Sequence, residues 1–224
     1  MVAAGRGERA GSEIPKQFRE VAGVPVLLRA IRPFLAHPGV GKVVVVVAPE
    51  VARTPPDWLQ ALTGDRLVLV AGGAERMDSV EQGLAALDPA VPVAVVHDGA
   101  RPFVDPDVID RVIDEARRGR GAIAAVPVAD TLKEGEAADG AFQIRRTVPR
   151  EGLWRAQTPQ AFPAAVLRQA LARARQAGSS LTDDAAAVEA MGVPVRLIRD
   201  RSTNLKITSP EDFHLADAIA RAGS

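Results

Sequence analysis

Residues 43–47 are five consecutive valines, and Ala48 extends the run. Side chains alternate across a strand, so β-branched residues at every position need cover on both faces of a sheet. That is the environment of a largely parallel sheet with helices on either side. Shorter runs of the same kind recur at 67–70, 93–96, 122–126 and 195–198. Between them apolar residues fall at helical spacing: Leu27, Leu28, Ile31, Phe34 and Leu35, then Val80, Leu84 and Leu87, then Val108, Ile109, Val112 and Ile113, and later Val166, Leu167 and Leu171. Strand followed by helix, repeated, predicts an α/β domain whose ligand crevice lies beyond the carboxyl ends of the strands. One stretch breaks the rhythm. Between Asp130 and Arg150 two short β-capable pieces flank Asp139-Gly140, a pair that favours a tight hairpin turn. The reading is a projecting arm over about 130–150; a hairpin is poorly stable alone, so it is expected to pack on a partner subunit.

The chain has 224 residues, which fits a single domain over 1–224. It is 47% hydrophobic, enough for a core, and its 28 Lys+Arg balance 28 Asp+Glu. A zero formal charge removes the electrostatic case for a nucleic-acid partner, because counterion release needs an excess of clustered cations. The absence of cysteine excludes disulfides, thiolate metal sites and thiol catalysis. With only His37, His97 and His214, a histidine metal cage is disfavoured, and His37 and His214 read as helix-end or surface residues. The longest apolar run is far short of the ~20 residues a membrane helix needs. Together these predict a cytoplasmic protein with no membrane or nucleic-acid partner.

Polar motifs follow the strand ends. Ala3-Ala4-Gly5-Arg6-Gly7-Glu8-Arg9-Ala10-Gly11 runs on to Pro15-Lys16-Gln17; its glycines allow close backbone approach, and Arg9 and Lys16 supply cations suited to phosphate. The segment also matches G-x-G-x-x-A, but Gly11 and Pro15 break the helix a dinucleotide fingerprint requires. Gly41-Lys42 is not a P-loop, since Val43 stands where Ser or Thr would bind magnesium. Gly72-Gly73 leads through Arg76 into Asp78-Ser79-Val80, either a tight turn with a helix cap or a loop that reads a base edge. His97-Asp98-Gly99-Ala100-Arg101-Pro102 puts a carboxylate at a strand end, where a magnesium ion bridging phosphates would be held, with Arg101 able to fork onto phosphate. Thr182-Asp183 reads as a helix cap, and Arg117, Arg118 and Arg120 as cations closing a helix.

Taken in order, these motifs, with Pro127-Val128, Asp130-Thr131, Lys133, Arg150, Leu153-Trp154, Gln157-Thr158-Pro159-Gln160 and Asn204-Leu205-Lys206-Ile207-Thr208, resemble the 2-C-methyl-D-erythritol 4-phosphate cytidylyltransferases, the IspD family. The resemblance spans nearly the whole chain. It implies a Rossmann-like nucleotidyltransferase domain that joins CTP to methylerythritol phosphate with release of pyrophosphate, uses Mg²⁺, and forms a homodimer through the arm. It further implies that Arg9, Lys16 and Lys206 act on the CTP phosphates, and that Ala3, Ala4, Gly5, Gly73 and Ser79 surround cytosine. Asp98 would bind Mg²⁺, and Arg101, Thr131 and Arg150 would hold the acceptor, the last two reaching from the partner's arm.

The chain departs from that pattern in places. Met1-Val2 is almost all that precedes Ala3, where a strand usually has ~5–6 residues, so either the start lies upstream or the domain tolerates a clipped central strand. Glu8 in the basic loop is expected to face solvent. Thr203 stands where some relatives carry an acid, so a second metal ligand is not expected there. Three readings compete with the main one: a ribitol 5-phosphate cytidylyltransferase, a catalytically silent nucleotide-binding dimer, and an NAD-type oxidoreductase.

Overall fold

The computed structural model describes residues 1–5, 15–179 and 181–223. In chain order its strands are β1 (Val2–Ala3), β2 (Glu20–Val21), β3 (Val24–Pro25), β4 (Val43–Val47), β5 (Leu67–Ala71), β6 (Val93–Val96), β7 (Gly121–Pro127), β8 (Leu132–Ala138), β9 (Ala141–Val148), β10 (Trp154–Pro163) and β11 (Val195–Arg199). Its helices are α1 (Val26–Ala36), α2 (Pro49–Arg53), α3 (Asp57–Gln60), α4 (Arg76–Ala85), α5 (Pro106–Arg117), α6 (Ala164–Gln176), α7 (Asp184–Glu189) and α8 (Pro210–Ala222). All five expected strands form, each within a residue of its predicted limits, and the valine run is buried along its whole length.

Two groups of strands make up the sheet. β1, β4 and β5 run parallel, and β11, β7, β10 and β6 form the second group, in which β10 is antiparallel to both neighbours. The seam between the groups is β1. Val2 accepts from Gly99 N and donates to His97 O, both at 2.9 Å, while Val46 N donates to Met1 O at 2.8 Å on the other side. On the amino side of this short strand a cavity of about 560 Å³ opens between β4 and β6, lined in part by Val44, Val46, Val93, Val95 and Leu84. The domain thus holds its two sheet halves together through a central strand of two residues.

Helices cover both faces. α5 shows how local sequence sets an element: Asp105 caps it by accepting from Asp107 N at 3.0 Å, Pro106 takes the first turn, and Val108, Ile109, Val112, Ile113 and Ala116 form the buried face. It ends as Gly119 turns to φ +84°, with Arg118 and Arg120 both clasping Glu115. The structural role expected for those arginines is what the fold shows. Phe162 of β10 is fully buried and packs with Ile123, Leu167 and Leu171 in the cluster beneath α6 and α7.

The arm is a two-stranded sheet of β8 and β9 whose turn, Asp139 (φ 49°) and Gly140 (φ 77°), has the geometry the Asp-Gly pair favours. Sequence periodicity did not reveal β10, because its polar Gln157-Thr158-Pro159-Gln160 sits at a register shift against β7. The β2–β3 hairpin about Ala22-Gly23 was also missed, its strands having two residues each. His214 is exposed and His37 ends α1, as the helix-end or surface reading expected; His37 is also buried and accepts from Gly39 N at 3.1 Å. Phe162→Ala is expected to cost about 3–5 kcal/mol, measurable as a lower midpoint in urea denaturation; a loss below about 1 kcal/mol would contradict this account of the core.

Candidate active site

Asp98 lies two residues past the end of β6, at a strand's carboxyl end, and three cations converge on it. Lys206 Nζ lies 2.8 Å from Oδ2, Arg101 Nε 3.7 Å from Oδ2, and Arg76 Nη2 3.7 Å from Oδ1. Burial opposes ionisation of this carboxyl, but Lys206, Arg76 and Arg101 together outweigh it and hold its pKa down to about 2. Arg76 opens α4, where Glu75 and Asp78 form a reciprocal cap. It forks onto Asp184, the first residue of α7, through contacts of 3.0 and 2.7 Å. Burial pushes the Asp184 carboxyl up while the Arg76 fork pulls against it. Lys206 is positioned by its neighbour: buried Ile207 donates from its backbone to Ala100 O at 2.9 Å.

A buried polar frame fixes the Asp98 turn. His97 Nε2 faces Arg101 O at 3.0 Å, and a carbonyl only accepts, so Nε2 carries the proton. Nδ1 therefore accepts from the Thr158 hydroxyl at 3.0 Å, while Thr158 Oγ1 accepts from Asp98 N at 3.0 Å. Burial keeps this imidazole neutral, with its pKa lowered to about 4. Asn204, fully buried, donates to Thr158 O at 2.9 Å and to Asp200 Oδ2 at 2.6 Å, and its backbone carbonyl receives Arg101 Nη1 at 2.8 Å and Gln157 Nε2 at 3.1 Å. Gln160 donates to Asp183 Oδ2 at 2.9 Å and accepts from Ala185 N at 3.1 Å, tying α7 to β10. Asp183 caps α7 through Ala186 N at 3.0 Å, the cap its sequence suggested.

The amino-terminal loop meets this frame across the seam. Gln17 is buried, and its amide donates to Ala3 O at 2.8 Å and Gly5 O at 3.1 Å, holding the loop's first residues against the short 3₁₀ turn Lys16–Phe18. Close packing explains the glycines nearby. A Cβ on Gly72 would stand 2.5 Å from Ala4 Cβ and 2.7 Å from Ser79 Oγ, and one on Gly99 would stand 2.9 Å from Ala3 Cβ. On Gly73 a Cβ would meet that of Asp78 at 2.2 Å. The structure thus brings Ala3, Ala4, Gly72 and Ser79 together. Ser79 itself is buried and donates to Glu75 O at 3.2 Å, as a helix residue would. Arg9 and Glu8 lie outside the described residues, and Lys16 begins the 3₁₀ turn. Thr131 and Arg150 are exposed at the base of the arm; Arg150 donates to Ala129 O, and neither residue touches the Asp98 group within this subunit.

Sequence reading left Gln17, Arg76, Thr158, Asn204 and Asp184 without roles, though all lie in or beside quoted motifs. Their signal is long-range: Arg76 and Asp184 are 108 positions apart, and Asp98 and Thr158 60.

No group of three or more acidic or histidine side chains fit for a metal occurs among the described residues. Asp98 alone nonetheless suits a magnesium ion, which takes one or two carboxylates and completes its shell with water and phosphate oxygen. Arg76 Nη2 approaches its Oδ1 to 3.7 Å, outside hydrogen-bond distance. Buried polar atoms lacking a hydrogen-bond partner include Arg101 Nε, Gln157 Oε1 and Asn204 Oδ1, on side chains that border Asp98 or the Thr158 frame. Asp98, ringed by three cations at the strand ends of an α/β sheet beside a glycine-bearing loop, gives the site the chemistry needed to handle a phosphorylated nucleotide, the chemistry of a nucleotidyltransferase.

The comparisons make the family specific. Residues 1–222 match the family described as 2-C-methyl-D-erythritol 4-phosphate cytidylyltransferase, and the chain belongs to it. The enzyme of that name from Pelotomaculum thermopropionicum is 42% identical over 99% of this chain and 93% of its own length. "Bifunctional enzyme IspD/IspF" from Desulfotalea psychrophila is 41% identical over 98% of this chain, which spans only 55% of that longer protein. The crystal structure of the cytidylyltransferase from Thermus thermophilus aligns with a TM-score of 0.80 at 38% identity, covering 98% of both chains.

Because His97 is buried neutral, its protonation favours the unfolded chain, and stability that is full above pH 6.5 is lost as the pH falls toward 4. In metal-free protein this loss should reach about 3 kcal/mol. Chemical denaturation across that range should show the slope in the wild type, and His97→Asn should lack the imidazole's share of it.

Proposed function

We propose that this chain transfers the cytidylyl group of CTP to 2-C-methyl-D-erythritol 4-phosphate, releasing pyrophosphate. The observation that carries the reading is the convergence of Lys206, Arg101 and Arg76 on Asp98, next to the loop that Gln17 holds in place. An acceptor phosphate oxygen attacks the α-phosphorus of CTP, a new P–O bond forms, and the bond from that phosphorus to the α,β-bridging oxygen breaks. The nucleophile is already ionised, so the step needs no general base. What it needs is cations where two anions meet and where charge accumulates. Lys16 and Arg9 are assigned to the CTP phosphates and Lys206 to the α-phosphate, with Arg101 facing the acceptor. Ala3, Ala4, Gly5 and Gly73 would line the cytosine, with Ser79 behind them.

Asp98 would hold the magnesium ion, which when bound neutralises phosphate oxygens and the departing pyrophosphate. Dimerisation through the arm completes the site in this reading. Phe142 and Ile144 lie two residues apart on β9, hence on one face, and are 83% and 67% exposed, an apolar surface suited to a second copy. Thr131 and Arg150 of the partner subunit would then meet the acceptor. A cytoplasmic location accords with the substrates. Among the described residues no helix is long and apolar enough to cross a membrane.

The test is pyrophosphate release from CTP and Mg²⁺ with methylerythritol 4-phosphate, run beside ribitol 5-phosphate. Turnover with the first alone is expected. Turnover with ribitol phosphate alone would change the acceptor, and CTP binding with neither reaction would mark a silent nucleotide binder. Lys16→Ala and Lys206→Ala are each expected to lower kcat by about 10²–10³; near-normal turnover in both would overturn the mechanism.

A further inference from the structure

Asp184 takes no place in the chemistry above, yet it is a carboxylate with 1% exposure lodged beside the reacting centre. Two ties fix its position: the Asp183 cap of α7, and Gln160, which bonds both Asp183 and Ala185 N. Arg76 stands between two carboxylates. It gives its paired fork to Asp184, at 3.0 and 2.7 Å, and only a 3.7 Å approach to Asp98 Oδ1. A guanidinium matches a carboxylate in pairs of parallel bonds, so an Arg76 without Asp184 has Asp98 as the nearest such partner. Lys206 already holds Asp98 Oδ2 at 2.8 Å. A fork from Arg76 would occupy the other oxygen as well.

We infer that Asp184 is a positioning residue: by capturing the Arg76 fork it keeps Asp98 Oδ1 open to a divalent cation bound with the nucleotide, while leaving the arginine's charge at the site. The inference rests on the assignment of the metal to Asp98. It makes Asp184 and Arg76 one unit, in which damage to the carboxylate is repaired by removing the guanidinium. A purely structural salt bridge would leave the metal's contribution to nucleotide binding unmoved by loss of Asp184, whatever it did to stability.

The readout is CTP affinity by isothermal titration with Mn²⁺ and, separately, in EDTA; the ratio of the two is the metal's contribution. Asp98→Asn should abolish it. Asp184→Asn should reduce the ratio about tenfold or more, and Arg76→Gln/Asp184→Asn, whose two amides can bond each other, should return it to near the wild-type value. An undiminished ratio in Asp184→Asn, or a double variant as weak as the single, overturns the inference. Should Asp184→Asn not fold, the double variant decides: a wild-type ratio supports the unit, and a loss of about tenfold sinks it. If Asp98→Asn leaves the ratio intact, the metal assignment fails and the inference with it. Failure of the acceptor reaction alone leaves these binding measurements untouched.

Discussion

The two groups of strands become one sheet through the hydrogen bonds that Met1 and Val2 make to both sides. Val46 N reaches Met1 O from one half of the sheet, and His97 O and Gly99 N hold Val2 from the other. The halves have different work. One carries the glycine turn and Arg76, the other Asp98, Thr158 and the loop that bears Lys206. The ligand crevice of an open α/β sheet lies where strand order diverges, and here that place coincides with the seam. Gly99 serves both purposes: its backbone closes the seam, and its missing Cβ lets Ala3 approach within contact.

The polar interior around Asp98 follows from the cost of burying charge. Two buried carboxylates, Asp98 and Asp184, with three cations at the rim are tolerable only if most remaining donors and acceptors are engaged. Thr158, Asn204, Gln157 and Gln160 engage them, each bonding at least one backbone group. The frame is therefore backbone-anchored, and the charged side chains at its rim keep the freedom to meet a ligand. A neutral His97 at the base belongs to the same arrangement, since a charged imidazole would have no acceptor at Nδ1 beyond a hydroxyl that already accepts from Asp98 N.

Periodicity made the parallel core legible because buried strands and amphipathic helices write their environment into a few adjacent residues. The valine run, the Asp139-Gly140 turn and the Asp183 cap could all be read within short windows. Asp98, Arg101 and Lys206 were identified as site residues, and the structure brings the three together. What could not be read was pairing across distance. Nothing in the local pattern of Gln157–Gln160 marks it as strand, since its polar side chains find their partners in the 97–98 turn, the residues that begin α7 and the 200–206 loop. For the same reason Asp184 drew no role from the sequence, although its side chain bonds Arg76.

The arm has a mechanical side. β8 begins a few residues after β7 ends, and β9 returns a few residues before β10 starts; Val128 N to Leu153 O, at 3.0 Å, closes its root. The hairpin is therefore an outward continuation of the antiparallel β7–β10 pair and not an ornament on a loop. Phe142 and Ile144, near its tip, are thus joined through continuous backbone to the strand whose irregular centre, Gln157 to Gln160, bonds both the Asp98 turn and the start of α7.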